Sequence, residues 1–265
     1  MATTMVIIEM GTNRLVDLHC HILPGLDDGS PSLDASIKMA KAAVADGVGY
    51  ILATPHHLDR HYVNHVSFVR AQVQAFQAEL ALRKIELQVF PGQEIHLSGH
   101  LLDELDDLLG IDTARNYLLL ELPHEMVPDY LNQIVFQLLC AGITPVIAHP
   151  ERNAQIMMSP EILYELIKQG TLAQVTATSL VGGFGRQVQH VALKLIACGL
   201  VQVVGSDAHA IKGRSFAMTD AYEVLAKLGT NYPEQFEKNA RDLLNGDKVS
   251  AGEIAIPKKR RFELF

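Results

Sequence analysis

Asp17, His19 and His21 alternate along Leu15-Val16-Asp17-Leu18-His19-Cys20-His21. In an extended strand a period of two puts all three side chains on one face. Residues of the same chemistry recur further on. They are Asp28 in Gly25-Leu26-Asp27-Asp28-Gly29-Ser30, His56 in Thr54-Pro55-His56-His57, Glu94 in Gly92-Gln93-Glu94, Glu121 after Leu118-Leu119-Leu120, His149 in His149-Pro150-Glu151-Arg152, and Asp207 and His209 in Ser206-Asp207-Ala208-His209. Imidazole and carboxylate donors without thiolate suit zinc, manganese or iron. Brought together without a cation they would leave buried charge unpaired, at a cost of several kcal/mol. Arg152 follows His149 by three residues and Arg214 follows His209 by five. Guanidinium forks match phosphate oxygens bidentately, so two of them beside a metal cluster point to a phosphate ester as the ligand.

Each candidate also has a plainer explanation. Asp28 sits where a turn residue before a helix N-cap belongs, and Glu94 and Glu121 could pair with Arg152 or Arg214 as salt bridges. His61 with His65, and His96 with His100, are four apart and read as solvated helix faces beyond the strand ends. An extended segment turns His57 away from His56, and His124 and His190 stand without companions. Cys20 points opposite to its histidine neighbours and reads as a small buried apolar residue. A lone His-x-His is a weak signal, and recurrence at six strand ends is what carries the metal reading. Thiolate phosphatase chemistry is excluded, because it needs an arginine six residues after the cysteine. The positions six past Cys20, Cys140 and Cys198 hold Leu26, Val146 and Val204. No Walker loop and no Gly-x-Ser-x-Gly elbow occurs.

A scaffold must bring these strand ends together. The sequence predicts strands over 15–19, 50–54, 87–91, 117–121, 144–148, 172–176 and 201–205. Helices are predicted over 31–46, with Ser30 as N-cap, Pro31 at N1 and Gly47 past the end, and over 66–84, 101–109, 129–141, 160–169 and 186–198. Near-continuous apolar strands such as Leu118-Leu119-Leu120 and Val146-Ile147-Ala148 suit parallel strands covered on both faces. Seven such units favour an α/β fold closed into a β/α, TIM-like barrel, whose active-site face lies at the carboxyl ends of the strands. One domain is expected over 15–257, after an N-terminal extension (1–14) and before a basic, apolar tail (258–265) that reads as solvated.

The chain has 265 residues and a formal charge of −8, from 22 Lys+Arg against 30 Asp+Glu. No basic stripe offers the phosphate-neutralising surface that nucleic acid needs, and nucleic acid is excluded as a partner. Three dispersed cysteines suit a reducing compartment, so a cytoplasmic location is expected. No apolar run approaches the roughly 18 residues that span a bilayer. Twelve histidines are the unusual entry in the composition.

Taken in order, Asp17-Leu18-His19-Cys20-His21, Asp27-Asp28-Gly29, Thr54-Pro55-His56, Gly92-Gln93-Glu94-Ile95, Glu121, the run from Ile143 to Arg152 and Ser206-Asp207-Ala208-His209 resemble the PHP (polymerase and histidinol phosphatase) superfamily. Within it they look most like the manganese-dependent protein-tyrosine phosphatases of bacterial capsule and exopolysaccharide operons, from about Leu15 to Leu244. The resemblance implies a distorted seven-stranded barrel and three divalent ions, manganese first, with iron or zinc as alternatives. By that resemblance His19, His21, Glu94 and Asp207 hold the first ion, Glu94, Glu121 and His149 the second, and Asp28, His56 and His209 the third. Arg152 and Arg214 match positions that hold the substrate phosphate, and Asp28 or His56 assists proton transfer to the leaving phenolate. Water activated between ions would attack phosphorus in line.

The implied partner is the phosphotyrosine-bearing tail of a bacterial autokinase that controls polysaccharide export. Assembly into a homo-oligomer is left open. Pro55 and His57 depart from the Ser and Arg that relatives often carry around this position, and the leader before Leu15 is outside the family pattern. Alternatives are a histidinol-phosphate phosphatase of the same superfamily, a metal amidohydrolase, and a non-catalytic docking module for a kinase tail.

Overall fold

The apolar runs form parallel strands and the amphipathic stretches between them form helices. The computed structural model describes residues 14–257. The expected extension, apart from Arg14, and the basic tail lie outside the described residues. The strands are β1 (Leu15–Cys20), β2 (Val48–Ala53), β3 (His56–His57), β4 (Gln88–Pro91), β5 (Glu94–His96), β6 (Tyr117–Glu121), β7 (Thr144–Ala148), β8 (Leu172–Thr176) and β9 (Val203–Gly205). The helices are α1 (Leu33–Ala45), α2 (Val66–Leu82), α3 (Leu131–Cys140), α4 (Ala154–Met158), α5 (Glu161–Gln169), α6 (Ala177–Leu180), α7 (Arg186–Ala197), α8 (Met218–Leu228) and α9 (Tyr232–Asn245). Every strand pairing is parallel, in two sheets of order β1-β2-β4 and β3-β5-β6-β7-β8-β9.

Seven strands are predicted and the described residues hold nine, because past two of the predicted strands the chain breaks and resumes as the short β3 and β5. Pro55 has no N–H to give a ladder, and Gly92 and Gln93 part β4 from β5. The pieces stay aligned across the breaks: Gly92 N donates to Ala53 O at 2.9 Å and Glu94 N to Pro55 O at 3.2 Å. Beyond them His56 pairs with Glu94 across β3 and β5.

The parallel sheet is curled, and its last strand returns to the first. Asp207 N donates to His19 O at 2.8 Å and His21 N to Ala208 O at 3.0 Å. Asp17 fastens this meeting. Its Oδ1 accepts from Ser206 N at 2.8 Å and His19 N at 3.2 Å, and its Oδ2 accepts from Ser206 Oγ at 2.5 Å. Burial pushes the Asp17 carboxyl up to about 6, against the hydrogen bonds from Ser206 and His19. Asp17 therefore shares β1 with His19, and His21 follows directly after that strand, but Asp17 serves as a structural acceptor.

Both faces of the strands are buried, as their composition requires. Val16, Leu18, Leu119, Val146 and Val203 pack inside the curl against Leu243 and Leu244 of α9. Leu118, Leu120, Ile147 and Val175 pack outward against helices, including Leu163 and Leu166 of α5 and Leu195 of α7. The sequence does not predict α8 and α9. The charges along Tyr232–Asn245 mask the few apolar positions by which α9 plugs the curl. At α1 the cap is Ser32, whose side chain accepts from Ala35 N at 3.3 Å. The expected cap, Ser30, is instead buried in the preceding turn, where its N–H donates to His21 O at 3.1 Å. The expected acidic helix over 101–109 is a 3-10 segment, Leu101–Asp107. No helix among the described residues is long and apolar enough to cross a membrane.

Replacing Asp17 by alanine leaves the buried N–H groups of Ser206 and His19 without their acceptor. The expected loss in unfolding free energy is roughly 2–5 kcal/mol, read from urea denaturation with the m-value unchanged; a midpoint equal to wild type would show that the clamp contributes nothing.

Candidate metal centre

The buried histidines at the end of β1 have fixed tautomers. Gln174 Nε2 donates to Val175 O at 2.7 Å, which turns Gln174 Oε1 toward His19 Nδ1 at 2.8 Å. His19 Nδ1 therefore carries its proton, and Nε2 presents a lone pair. His21 Nδ1 likewise donates to Asp27 Oδ2 at 2.7 Å, while Asp27 Oδ1 accepts from Gly29 N at 2.9 Å. The two Nε2 atoms then face each other at 3.2 Å. Glu94 Oε2 lies 3.2 Å from each of them, and Asp207 Oδ1 lies 3.5 Å from His19 Nε2 and 3.4 Å from His21 Nε2. Four acceptor atoms converge, all on side chains at most 1% exposed.

A divalent cation fits this donor set and a proton is the lesser substitute. Burial opposes charge on His19 and His21. Glu94 and Asp207 outweigh it at His19 and Asp27 outweighs it at His21, so both imidazoles hold a proton above their usual range. The same attraction, with His19 foremost, overcomes burial at Glu94 and Asp207 and keeps both carboxylates well below theirs.

Two further groups of donors adjoin the first. Glu94 Oε1 is 2.7 Å from His149 Nε2, and His149 Nε2 is 3.9 Å from Glu121 Oε1. His56 Nδ1 is 3.1 Å from Glu94 Oε2 and 3.7 Å from Glu121 Oε2. On the other side, Asp28 Oδ1 is 3.2 Å from His209 Nε2 and 3.4 Å from His56 Nε2. His209 Nδ1 donates to Asp207 O at 3.0 Å, leaving its Nε2 as a lone pair. Burial, with His21 beside it, lowers the His209 pKa, so the ring is neutral and able to ligate. His56 Nδ1, Glu94 Oε2 and His209 Nε2 are buried without hydrogen-bond partners, the condition of atoms built to meet a cation.

Donor atoms within 4.8 Å of one another form three groups: His19, His21, Glu94 and Asp207; His21, Asp28, His56 and His209; and His56, Glu94 and Glu121. Eight of the nine expected donors fall in these groups, and the ninth, His149, stands beside them at Glu94 Oε1. The partition differs in detail from expectation, since His21 adjoins the Asp28 group and His56 adjoins the Glu94–Glu121 pair, where His149 was expected.

Backbone conformation aims two of these side chains. His149, past β7, has φ +32°, and Asp207, past β9, has φ +51°. Both are left-handed values that non-glycine residues adopt at a cost. Close approach matters at Gly29, where a Cβ would lie 2.3 Å from His21 O.

The two arginines lean over the same place. Arg152 Nη1 donates to Asp207 Oδ2, and Arg214 Nη2 lies 2.8 Å from both Asp207 oxygens. The acid that holds them is thus Asp207, in place of the Glu94 or Glu121 that the salt-bridge alternative supposes. Arg152 also lies over the Phe184 ring, 4.8 Å from its centroid. A cleft of about 330 Å³ opens here, lined by Asp28, His56, Glu94, Glu121, His149, Arg152 and Arg214.

His61, His96 and His124, which the sequence sets aside, also line it, together with Asp59, Tyr62 and Leu122. His96 lies on β5, 3.2 Å from Glu121 Oε2, and shares no helix with the exposed His100. The period of two from Glu94 was the available signal. His124 is exposed and stacks on His149 at 6.4 Å. Asp27, passed over beside Asp28, fixes the tautomer of His21 by the second-sphere contact that orients metal-binding imidazoles. His57 does turn away, its Nδ1 accepting from Asn64 N at 3.1 Å. His65 is exposed and contacts Asp107, His190 is exposed and Cys20 is buried.

Because protons stand in for the cation on His19 and His21, metal uptake must expel them. Titrating manganese into chelator-treated protein near pH 6.5 is expected to release at least one proton per protein, read from calorimetric heats in buffers of different ionisation enthalpy. At about 100-fold excess over Kd it should raise stability by roughly 2.7 kcal/mol. Heats independent of the buffer and an unmoved melting temperature would sink the metal reading.

The family model for capsular polysaccharide synthesis, CpsB/CapC, matches residues 15–245. The chain is 40% identical over 238 residues to tyrosine-protein phosphatase YwqE of Bacillus subtilis, covering 89% of this chain and 93% of that protein. It is 25% identical over 244 residues to tyrosine-protein phosphatase CpsB of Streptococcus agalactiae, covering 89% of this chain and all of that one. Among solved structures, one from work on YwqE of B. subtilis and CpsB of Streptococcus pneumoniae, described as metal-dependent tyrosine phosphatases, superposes with a TM-score of 0.87 at 39% identity, over 91% of this chain and 99% of that one. A β-aspartyl dipeptidase of Fervidobacterium islandicum superposes at 0.53 with 12% identity, a likeness of fold alone. The matched span takes in every donor and both arginines, and the chain belongs to the CpsB/CapC family of capsular polysaccharide synthesis.

Proposed function

We propose that this protein is a metal-dependent phosphatase of protein phosphotyrosine, acting on the phosphorylated tail of a kinase in capsule or exopolysaccharide synthesis. One observation carries the reading: two guanidinium groups converge on Asp207 beside a cleft whose floor is a buried set of imidazole and carboxylate donor atoms. Such a pairing suits a phosphate monoester, which brings negative oxygens to both. The names of the relatives support the same chemistry.

His19, His21, Glu94 and Asp207 hold one divalent ion, Glu94, Glu121 and His149 a second, and Asp28, His56 and His209 a third, with manganese the first choice and iron or zinc the alternatives. Ions held there supply Lewis acidity, which acidifies water and offsets charge on the phosphoryl oxygens. Arg152 and Arg214 orient the phosphoryl group and stabilise the charge that develops on its nonbridging oxygens. Asp28 is kept ionised by the adjoining His209 and His56, so at neutral pH it has no proton to supply. A phenolate leaves with less protonation than an alkoxide, and this fits an aryl ester. The scaffold is a distorted barrel of seven strands over one domain, 15–257, in which β2 with β3 and β4 with β5 each count as one broken strand. The protein works in the cytoplasm, where a kinase tail is within reach.

Chelator-treated protein reloaded with manganese, zinc or iron is expected to hydrolyse phosphotyrosine peptides in preference to histidinol phosphate. Failure on every phosphotyrosine peptide and aryl phosphate with each metal would overturn the proposal. Arg152→Ala is expected to lower kcat/KM by roughly 10²–10³-fold, measured with p-nitrophenyl phosphate. Wild-type protein that binds the kinase tail without turnover, with phosphate release little affected by Arg152→Ala, would favour the docking role instead. Glu94→Gln, which weakens two of the three donor groups together, is expected to lose activity and metal uptake alike; a fully active variant would remove Glu94 from the set of residues that would hold the ions.

A further inference from the structure

The loop that follows β3 supplies no donor to the three groups, yet it is fastened at many points. Leu58 has φ +61°, a left-handed value that reverses the chain over the cleft. Asp59 Oδ1 then accepts from the N–H groups of His61 and Tyr62, the latter at 2.9 Å. Past the loop, Asn64 Nδ2 donates to His56 O at 2.8 Å and to Leu26 O at 3.1 Å, and Asn64 O accepts from Gln93 Nε2 at 2.6 Å. His57 takes the Asn64 N–H. Three buried polar residues with no place among the donors, His57, Asn64 and Gln93, thus hold this one loop.

What the loop presents is Tyr62. Its ring is half-buried and lies nearly parallel to that of His56, with an interplanar angle of 15° and centroids 6.1 Å apart. It lines the same cleft as Arg152 and Arg214. Among the lining side chains only Tyr62 and Leu122 are neither charged nor imidazole, and Leu122 is 3% exposed. Tyr62 therefore provides the accessible flat carbon surface. Burial, with Asp28, Asp27 and Asp59 nearby, keeps its phenol above the usual pKa, so the ring meets a ligand uncharged.

We propose that Tyr62 forms an aryl subsite, the wall on which the ring of an aryl phosphate lies while Arg152 and Arg214 take its phosphoryl group. The inference rests on the phosphatase reading and adds to it a source of preference for aryl over alkyl esters. Offset stacking between rings gains on top of the apolar area it covers, which an alkyl chain does not match.

The test is titration calorimetry of manganese-loaded protein with phenylphosphonate and with inorganic phosphate, comparing the two dissociation constants. Wild type is expected to prefer phenylphosphonate. Tyr62→Ala should reduce that preference by roughly five- to tenfold, with manganese uptake as in wild type, and Tyr62→Phe should recover it. A preference that survives in Tyr62→Ala, or that Tyr62→Phe fails to recover, overturns the aryl subsite. If wild type turns over p-nitrophenyl phosphate in either of those cases, the phosphatase reading stands without it. Wild-type protein that binds neither ligand overturns both.

Discussion

His19 and His21 are each obliged to point a lone pair at the other, and the centre follows from that constraint. Gln174 and Asp27 take the Nδ1 protons, so the Nε2 atoms meet at 3.2 Å with nothing of their own to share. Glu94 and Asp207 add two more acceptors. A protein without a cation can keep this arrangement only by holding protons on the imidazoles, which their raised pKa values express. The arginines obey the same field. Asp207 draws both because it is the carboxylate that faces the donors on one side and the cleft on the other.

The scaffold serves the constraint by controlling where strands stop. Pro55 and the Gly92-Gln93 pair break two strands at the height of the centre, and His56 and Glu94 emerge side by side in the short segments beyond. Left-handed backbone at His149 and Asp207 ends two further strands with a turn that a regular strand could not make. Hydrophobic packing on both faces keeps the strand bodies rigid while their ends carry the polar work.

The residues that converge are legible because imidazole and carboxylate at the ends of apolar strands stand out, and β6, β7 and β8 are read to the residue, β6 and β7 from their near-continuous apolar runs. The same logic hid other parts. Asp27 carries no signal of its own beside Asp28, because its partner, His21, is reached only once the turn closes. His96 was assigned to a helix face because β5 is three residues long and carries no periodicity of its own. The grouping of His56 with Glu94 and Glu121 depends on how the sheet curls, which no local pattern encodes. The contribution of α9 is invisible because three of its residues, Ala240, Leu243 and Leu244, do the plugging amid charged neighbours, and the cap at Ser32 is hidden because Ser30 and Ser32 are chemically equivalent until one is buried.

The Asp17–Ser206 clamp joins residues 189 positions apart, and the donors His19 and Asp207 stand directly beside it. During synthesis the ribosome therefore emits His19 and His21 long before the acid that completes their group. The nascent chain carries the early histidines as ordinary side chains through most of translation, open to solvent and weak as ligands. Only when the ninth strand has emerged and closed on the first does the site exist. The four-residue group is thus complete only late in the synthesis of each molecule, because chain order places its last member, Asp207, so far behind the first.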